Sequence, residues 1–210
     1  MYKDRTEAAL LLAKKLHYYK GKNAVVLAIP RGGVPLGFII SKVLNLPMEI
    51  VLSKKIGHPL HKEFAIGAVT LKSRILSNAA AEIPASYIEK ETGRIREKLA
   101  SRQKEYYGDR EPLSLKDKIL IVVDDGIATG NTMLSIIEML YKEKPTKIVV
   151  AAPVAPHSTI KKFESSPIID QVICPLVPDS FMAVGEFYEN FDQVTDQEVQ
   201  RLLQEASKAS

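Results

Sequence analysis

Residues 119–123 read Ile-Leu-Ile-Val-Val and run straight into two carboxylates, Asp124 and Asp125. Five apolar residues in a row, four of them β-branched, offer no polar face, so as a strand they belong inside a sheet covered on both sides. The residues that follow, Gly126-Ile127-Ala128-Thr129-Gly130-Asn131-Thr132, are mostly small or hydroxylic and open a segment of helical spacing that reaches Tyr141. Buried strand, turn and helix in that order form a unit of a parallel sheet and place the chain in the α/β class. In that class ligands sit beyond the carboxyl ends of the strands, which is where Asp124 and Asp125 fall.

The rest of the chain repeats the pattern. Asp4 and Glu7 have the spacing of a capping box, Leu12 and Leu16 share a face, and Gly21 stands where a helix should end, which predicts a helix over about Arg5 to Tyr19. Ala24 to Ile29 reads as a strand stopped by Pro30-Arg31-Gly32-Gly33, and Leu36, Ile39, Ile40, Val43 and Leu44 then recur at helical spacing. Further strands are expected at Met48 to Leu52, Lys147 to Ala152 and Val172 to Leu176, with a helix over Ser158 to Phe163. Residues 1–210 therefore read as one α/β domain with a five-stranded, mainly parallel sheet.

Residues 56–115 interrupt the alternation and read as an inserted lid. Phe64 to Leu71 and Arg74 to Ser77 have the pattern of a hairpin, and Ser86 with Glu89 would cap a charged helix reaching Tyr107. Its narrow apolar stripe, Ile88, Ile95, Leu99 and Tyr106, has no evident place in a five-stranded core and suits either a two-fold partner or the chain's own domain. Arg94, Arg96, Lys98 and Arg102 on the same helix read as a solvated face.

Composition serves mainly to exclude. A net charge of +4 is spread over 29 basic and 25 acidic residues, so no nucleic-acid footprint stands out. The single cysteine, Cys174, rules out an internal disulfide framework, and a reducing cytoplasm is the expected setting. No apolar run approaches the ~20 residues that span a bilayer, and the N-terminus lacks a signal-peptide pattern. His58, His61 and Glu63 lie close in sequence, but a loop without helical i, i+4 placement favours a structural or exposed role over a metal site.

The chemistry concentrates after Val123. A helix N-terminus carries unpaired N–H groups and partial positive charge, so Ala128, Thr129, Gly130, Asn131 and Thr132 can wrap a phosphate. Carboxylates beside an anion site must face donors, and the vicinal hydroxyls of a ribose are such donors. Neither the Walker loop nor the dinucleotide fingerprint fits the glycine spacing. The turn Pro30-Arg31-Gly32-Gly33 combines backbone N–H groups with a guanidinium and suits a polyphosphate, and Lys54-Lys55 follows the next strand.

The stretch Ile119 to Thr132 resembles the motif by which type I phosphoribosyltransferases bind 5-phosphoribosyl-1-pyrophosphate (PRPP), with Gly126 where the family usually has an aliphatic residue. The resemblance implies a type I fold with a hairpin-plus-helix hood, Asp124 and Asp125 on the ribose hydroxyls, and Ala128 to Thr132 on the 5′-phosphate. It assigns Arg31, Gly32, Gly33 and Lys54 to the pyrophosphate, and Mg2+ held chiefly by substrate oxygens and water. The implied reaction displaces pyrophosphate with a nitrogenous acceptor such as a nucleobase. Pro178 to Gly185 looks like the base-binding segment of hypoxanthine-type enzymes, naming Phe181, Val184 and Glu189, although one extra residue precedes Val184-Gly185 and Ala155-Pro156-His157 stands where a basic residue is expected. Phe181, Phe187 and Tyr188 could equally pack the C-terminal lobe. With Glu63 to Val69 and Phe191 to Leu203 included, the chain is similar throughout to phosphoribosyltransferases of unassigned substrate, commonly homodimers. A PRPP-binding regulatory protein without transferase activity is the alternative.

Overall fold

A computed structural model describes residues 1–108 and 110–208. Asp109, within the expected insertion, and the last two residues of the expected domain lie outside the described residues. The elements in chain order are α1 (Arg5–Lys15), β1 (Ala24–Ala28), α2 (Gly33–Leu44), β2 (Met48–Ile50), β3 (Lys54–Gly57), β4 (Ala65–Val69), β5 (Arg74–Leu76), α3 (Ala85–Tyr107), β6 (Ile119–Val123), α4 (Asn131–Tyr141), β7 (Lys147–Ala151), α5 (His157–Glu164), β8 (Gln171–Ile173) and α6 (Asp196–Ser207).

Five strands form one sheet in the order β2-β1-β6-β7-β8, and every neighbouring pair is parallel. Alternation along the strands explains the unbroken apolar runs. Val26, Ile121, Val123, Val149 and Ala151 face Ala9 and Leu12 of α1, Leu16 just after it, and Leu36 and Ile40 of α2. Their sequence neighbours Val25, Leu27, Leu120, Val122, Ile148 and Val150 join Met133, Ile136, Ile137 and Leu140 of α4 and Phe163 of α5 in a second core. Both faces are covered, so β6 is buried from Leu120 to Val123 and the first polar side chains come where the strand ends at Asp124. The chain passes from β1 outward to β2 and returns on the other side as β6, so the topological switch lies between β1 and β6. The Pro30–Gly33 turn and the Asp124–Thr132 loop both emerge there.

The insertion forms a separate small layer. Strands β3, β4 and β5 pair antiparallel, one strand more than the expected hairpin, because the lysines after β2 open β3. Helix α3 lays Ile88, Ile95 and Leu99 over Ile56, Ile66 and Val69, a core of the hood's own. Full burial of such a side chain contributes ~1.5–3 kcal/mol. The stripe thus has its cover within the chain. Tyr106 instead joins Val199, Leu202 and Leu203 of α6.

Three local expectations change. Pro84, not Ser86, caps α3: its carbonyl accepts the N–H groups of Tyr87 (3.0 Å) and Ile88 (3.2 Å), and Glu89 pairs with Arg74 at 2.8 Å. The helix predicted to reach Tyr19 closes at Lys15 and continues as a 3-10 turn over His17–Tyr19. Helix α6 has no counterpart among the expected elements, although Thr195 caps it by accepting the N–H of Glu198 at 3.1 Å. No helix among the described residues is long and apolar enough to cross a membrane.

Candidate active site

At the end of β6 the two carboxylates are not equivalent. The Asp124 carboxyl turns back to accept the N–H of Asp125 at 2.9 Å. Burial first, and the neighbouring Asp125 second, hold it well above the usual carboxylate range. The Asp125 carboxyl is also raised by burial, but a cation offsets part of the effect. Arg5, in the first turn of α1, donates from Nε (3.0 Å) and Nη2 (2.8 Å) to the Oδ2 of Asp125. Both side chains are nearly enclosed, at 14% and 13% exposure, so neither charge is well served by water. The third guanidinium nitrogen donates to the Asp192 carbonyl at 2.7 Å, and the guanidinium lies 3.9 Å from the centre of the Phe191 ring. The Tyr188 hydroxyl donates to the Asp125 carbonyl at 2.6 Å. No sequence signal named Arg5.

The Pro30–Gly33 turn packs directly on this pair, and its Pro30–Arg31 peptide bond is cis. A Cβ at Gly32 would fall inside the Asp125 carboxylate, with even the farther oxygen at 2.9 Å, and one at Gly33 would stand 2.6 Å from the Val123 carbonyl. These glycines are therefore required first for the approach of the two loops. The N–H of Gly33 is committed to the Ile29 carbonyl at 3.0 Å. The Arg31 guanidinium lies 3.8 Å from the Oδ2 of Asp196.

Beyond Asp125 the loop has the form an anion needs. The N–H groups of Ala128, Thr129, Gly130, Asn131 and Thr132 have no acceptor among the described residues, and the first intrahelical bond of α4 is Leu134 N–H to the Gly130 carbonyl at 2.9 Å. Other polar groups of the loop are engaged by α5: the Thr159 hydroxyl donates to the Ala128 carbonyl, and the Lys162 ammonium donates to the Asn131 side-chain oxygen. Helix α5 thus holds the carbonyl side of the loop and leaves the N–H side unpaired. Gly130 is left-handed (φ 72°), and a Cβ there would meet the Phe163 ring at 2.8 Å.

Lys54 and Thr132 line two adjoining clefts of about 570 and 910 Å³, the first closed by α3 and the second by the hood strands. Of the expected phosphate and pyrophosphate residues, Lys54 and Thr132 border both clefts and Asn131 the larger, whereas Arg31, Gly32 and Gly33 line neither. Lys98 and Arg102, read from sequence as a solvated face, line the smaller cleft, whereas Arg94 stays outside it, paired with Glu91 at 2.7 Å.

The acceptor segment reaches the same region by a different route from the one expected. Val184 covers Gly126, where a Cβ would come within 2.9 Å of a Val184 methyl, which explains why an aliphatic residue is missing there. Phe181 is half-buried and stacks on Phe187, ring centres 5.3 Å apart. Glu189 is exposed, and its backbone N–H donates to the Tyr2 carbonyl at 2.8 Å. The His58 and His61 rings stack at 5.8 Å, and no group of three or more His, Cys, Asp or Glu suited to a metal occurs among the described residues.

An all-parallel sheet whose switch point carries an unpaired run of N–H groups at a helix start, beside a buried acidic pair, has the form of an anion-binding α/β site. The phosphoribosyl transferase domain model matches residues 5–173, and the chain belongs to that family. It is 32% identical over 212 residues to the Mycobacterium tuberculosis (H37Rv) protein named "Putative phosphoribosyl transferase Rv0571c". That alignment takes in 99% of this chain and 47% of the relative, so the chain spans about half the length of the curated relatives it matches. Among solved structures, TT1426 from Thermus thermophilus superposes with a TM-score of 0.86 at 34% identity, covering 97% of this chain and 98% of that one. A purine phosphoribosyltransferase from Pyrococcus horikoshii shares the fold, with a TM-score of 0.50 at 19% identity over 91% of this chain and 93% of that one.

Proposed function

We propose that this chain transfers the 5-phosphoribosyl group of PRPP to a nitrogenous acceptor, with release of pyrophosphate. The observation that carries the reading is the run of unpaired N–H groups from Ala128 to Thr132 directly after the buried Asp124-Asp125 pair. The 5′-phosphate takes those N–H groups, with the Thr129 and Thr132 hydroxyls as further donors. The ribose hydroxyls donate to the carboxylates, which stabilise the positive charge that develops on the ring as the bond from C1 to pyrophosphate breaks. Arg31 and Lys54 offset the charge on the departing pyrophosphate. Mg2+ would be carried chiefly by PRPP oxygens and water, with the Asp124 and Asp125 carboxylates as the hard oxygen donors this chain would offer it. Bound in that way, Mg2+ supplies further neutralisation of the leaving group.

On the acceptor side, Val184 against Gly126 places the 178–185 segment beside the acidic pair. This supports a flat acceptor such as a nucleobase entering between that segment and the sugar. Pyrophosphate release measured with PRPP, Mg2+ and a panel of purines, pyrimidines and simple amines tests the proposal. Release that depends on one acceptor class is expected. Tight PRPP binding with no release above buffer for any member would replace the transferase reading with that of a PRPP-binding regulator.

A further inference from the structure

We propose that Lys98 and Arg102 of α3 bind the pyrophosphate group, so that the hood helix grips the leaving group together with the β1 and β2 loops. The inference rests on the PRPP reading above and adds residues that neither the motif nor the family match assigns. Lys98 and Arg102 are four residues apart and so share one face of α3. Both line the cleft of about 570 Å³ that also contains Pro30, Lys54 and Thr132.

The charge balance of this cleft points to an anion. Lys54, Lys98 and Arg102 line it against one carboxylate, that of Glu105. Like charges four residues apart on a helix are mildly destabilising, an effect that a bound anion would relieve. Arg31 and Arg102 come from distant segments yet converge on a single oxygen, the Oδ2 of Asp196, at 3.8 and 3.7 Å. The other oxygen of Asp196 accepts the Tyr106 hydroxyl, which pins the carboxylate in place. Both guanidinium contacts exceed hydrogen-bonding length. The two arginines are therefore gathered around one weakly engaged anion, and a pyrophosphate carries more charge and more acceptor oxygens than that carboxylate.

Calorimetric titration with inorganic pyrophosphate and, separately, with ribose 5-phosphate tests the assignment. The proteins are wild type, Lys98→Ala, Arg102→Ala, Arg102→Gln and, as a surface control, Arg94→Ala. Arg102→Gln retains side-chain packing over Tyr106, and circular dichroism checks that each variant is folded. The expected result is a loss of about tenfold or more in pyrophosphate affinity for Lys98→Ala and both Arg102 variants. Ribose 5-phosphate affinity should stay within about twofold throughout, and Arg94→Ala should leave both ligands unaffected. Wild-type binding of both ligands with pyrophosphate affinity unchanged in the Lys98 and Arg102 variants would overturn the assignment and leave the PRPP reading standing. Failure of wild type to bind either ligand would overturn the PRPP reading and this assignment with it.

Discussion

Asp124→Asn is expected to raise the thermal stability of the protein at neutral pH while removing most of its capacity to use PRPP. The two effects share one cause. Burial, and then the Asp125 carboxylate beside it, hold the Asp124 carboxyl well above the usual carboxylate range. The folded protein therefore keeps a proton on this group over a pH range in which the unfolded chain has lost it. Stability falls as pH rises from the ordinary carboxylate range through the folded pKa, and above that pKa the full penalty of a buried charge applies. Asparagine keeps the acceptor for the Asp125 N–H, a bond of 2.9 Å in the native protein, and removes the charge. A gain of about 1 kcal/mol would raise the midpoint by roughly 2–4 °C for a chain of this size. The gain should shrink toward about pH 4, where both proteins are neutral at this position. Turnover should drop by about 10²–10³, the usual cost of losing a preorganised group that stabilises developing charge. Unfolding midpoints across pH, measured beside pyrophosphate release, check both parts. A variant less stable at every pH, or one with wild-type turnover, contradicts the assignment.

Gly32→Ala should be nearly as damaging, although it adds only a single methyl group. That methyl would overlap the Asp125 carboxylate. The carboxylate cannot yield freely, because Arg5 holds its Oδ2 with two nitrogens and is itself fixed by the Asp192 carbonyl and the Phe191 ring. Either the β1 loop withdraws from the acidic pair or the ion pair breaks. The first shifts the turn that carries Arg31 away from the acidic pair, and a misplacement of about 1 Å costs ~10²-fold in rate. The second leaves a nearly enclosed charge without its partner. Overpacking alone costs ~1–3 kcal/mol. Gly93→Ala is the matched control: it lies in α3 with open space at its Cβ, and alanine there should stabilise by about 0.5–1 kcal/mol. Chemical denaturation and pyrophosphate release on the two variants should move in opposite directions for stability, with only Gly32→Ala losing turnover. Equal behaviour would show that the two loops do not interlock.

The parts of the site legible in the sequence are those whose signal is local. Ile119 to Thr132 carries strand, acidic pair and helix start within one stretch, and each of those features has its place in the structure. What stayed hidden depends on distant contacts. Arg5 reaches Asp125 across 120 residues, and nothing near either position announces the pairing. Lys98 and Arg102 have the appearance of any solvated helix face, and only the docking of α3 over the β1 and β2 loops turns them toward a cleft. Strand β3 escapes a reading by pattern because its two lysines are exposed and its pairing partner, β4, lies beyond a loop of seven residues. The apolar stripe of α3 left a partner and the chain's own domain both open, because its cover within the chain, Ile56, Ile66 and Val69, sits on short strands of the same insertion. Gly126 is accounted for only once Val184 is seen against it, from a segment 58 residues later.

The most direct test of the phosphosugar site is a crystal structure of the protein soaked with PRPP. The expected density places the 5′-phosphate on the N–H groups of Ala128 to Thr132 and the ribose hydroxyls against Asp124, with pyrophosphate directed toward Arg31 and Lys54. PRPP bound elsewhere on the chain, with the Ala128–Thr132 loop empty, would contradict the site and the function built on it.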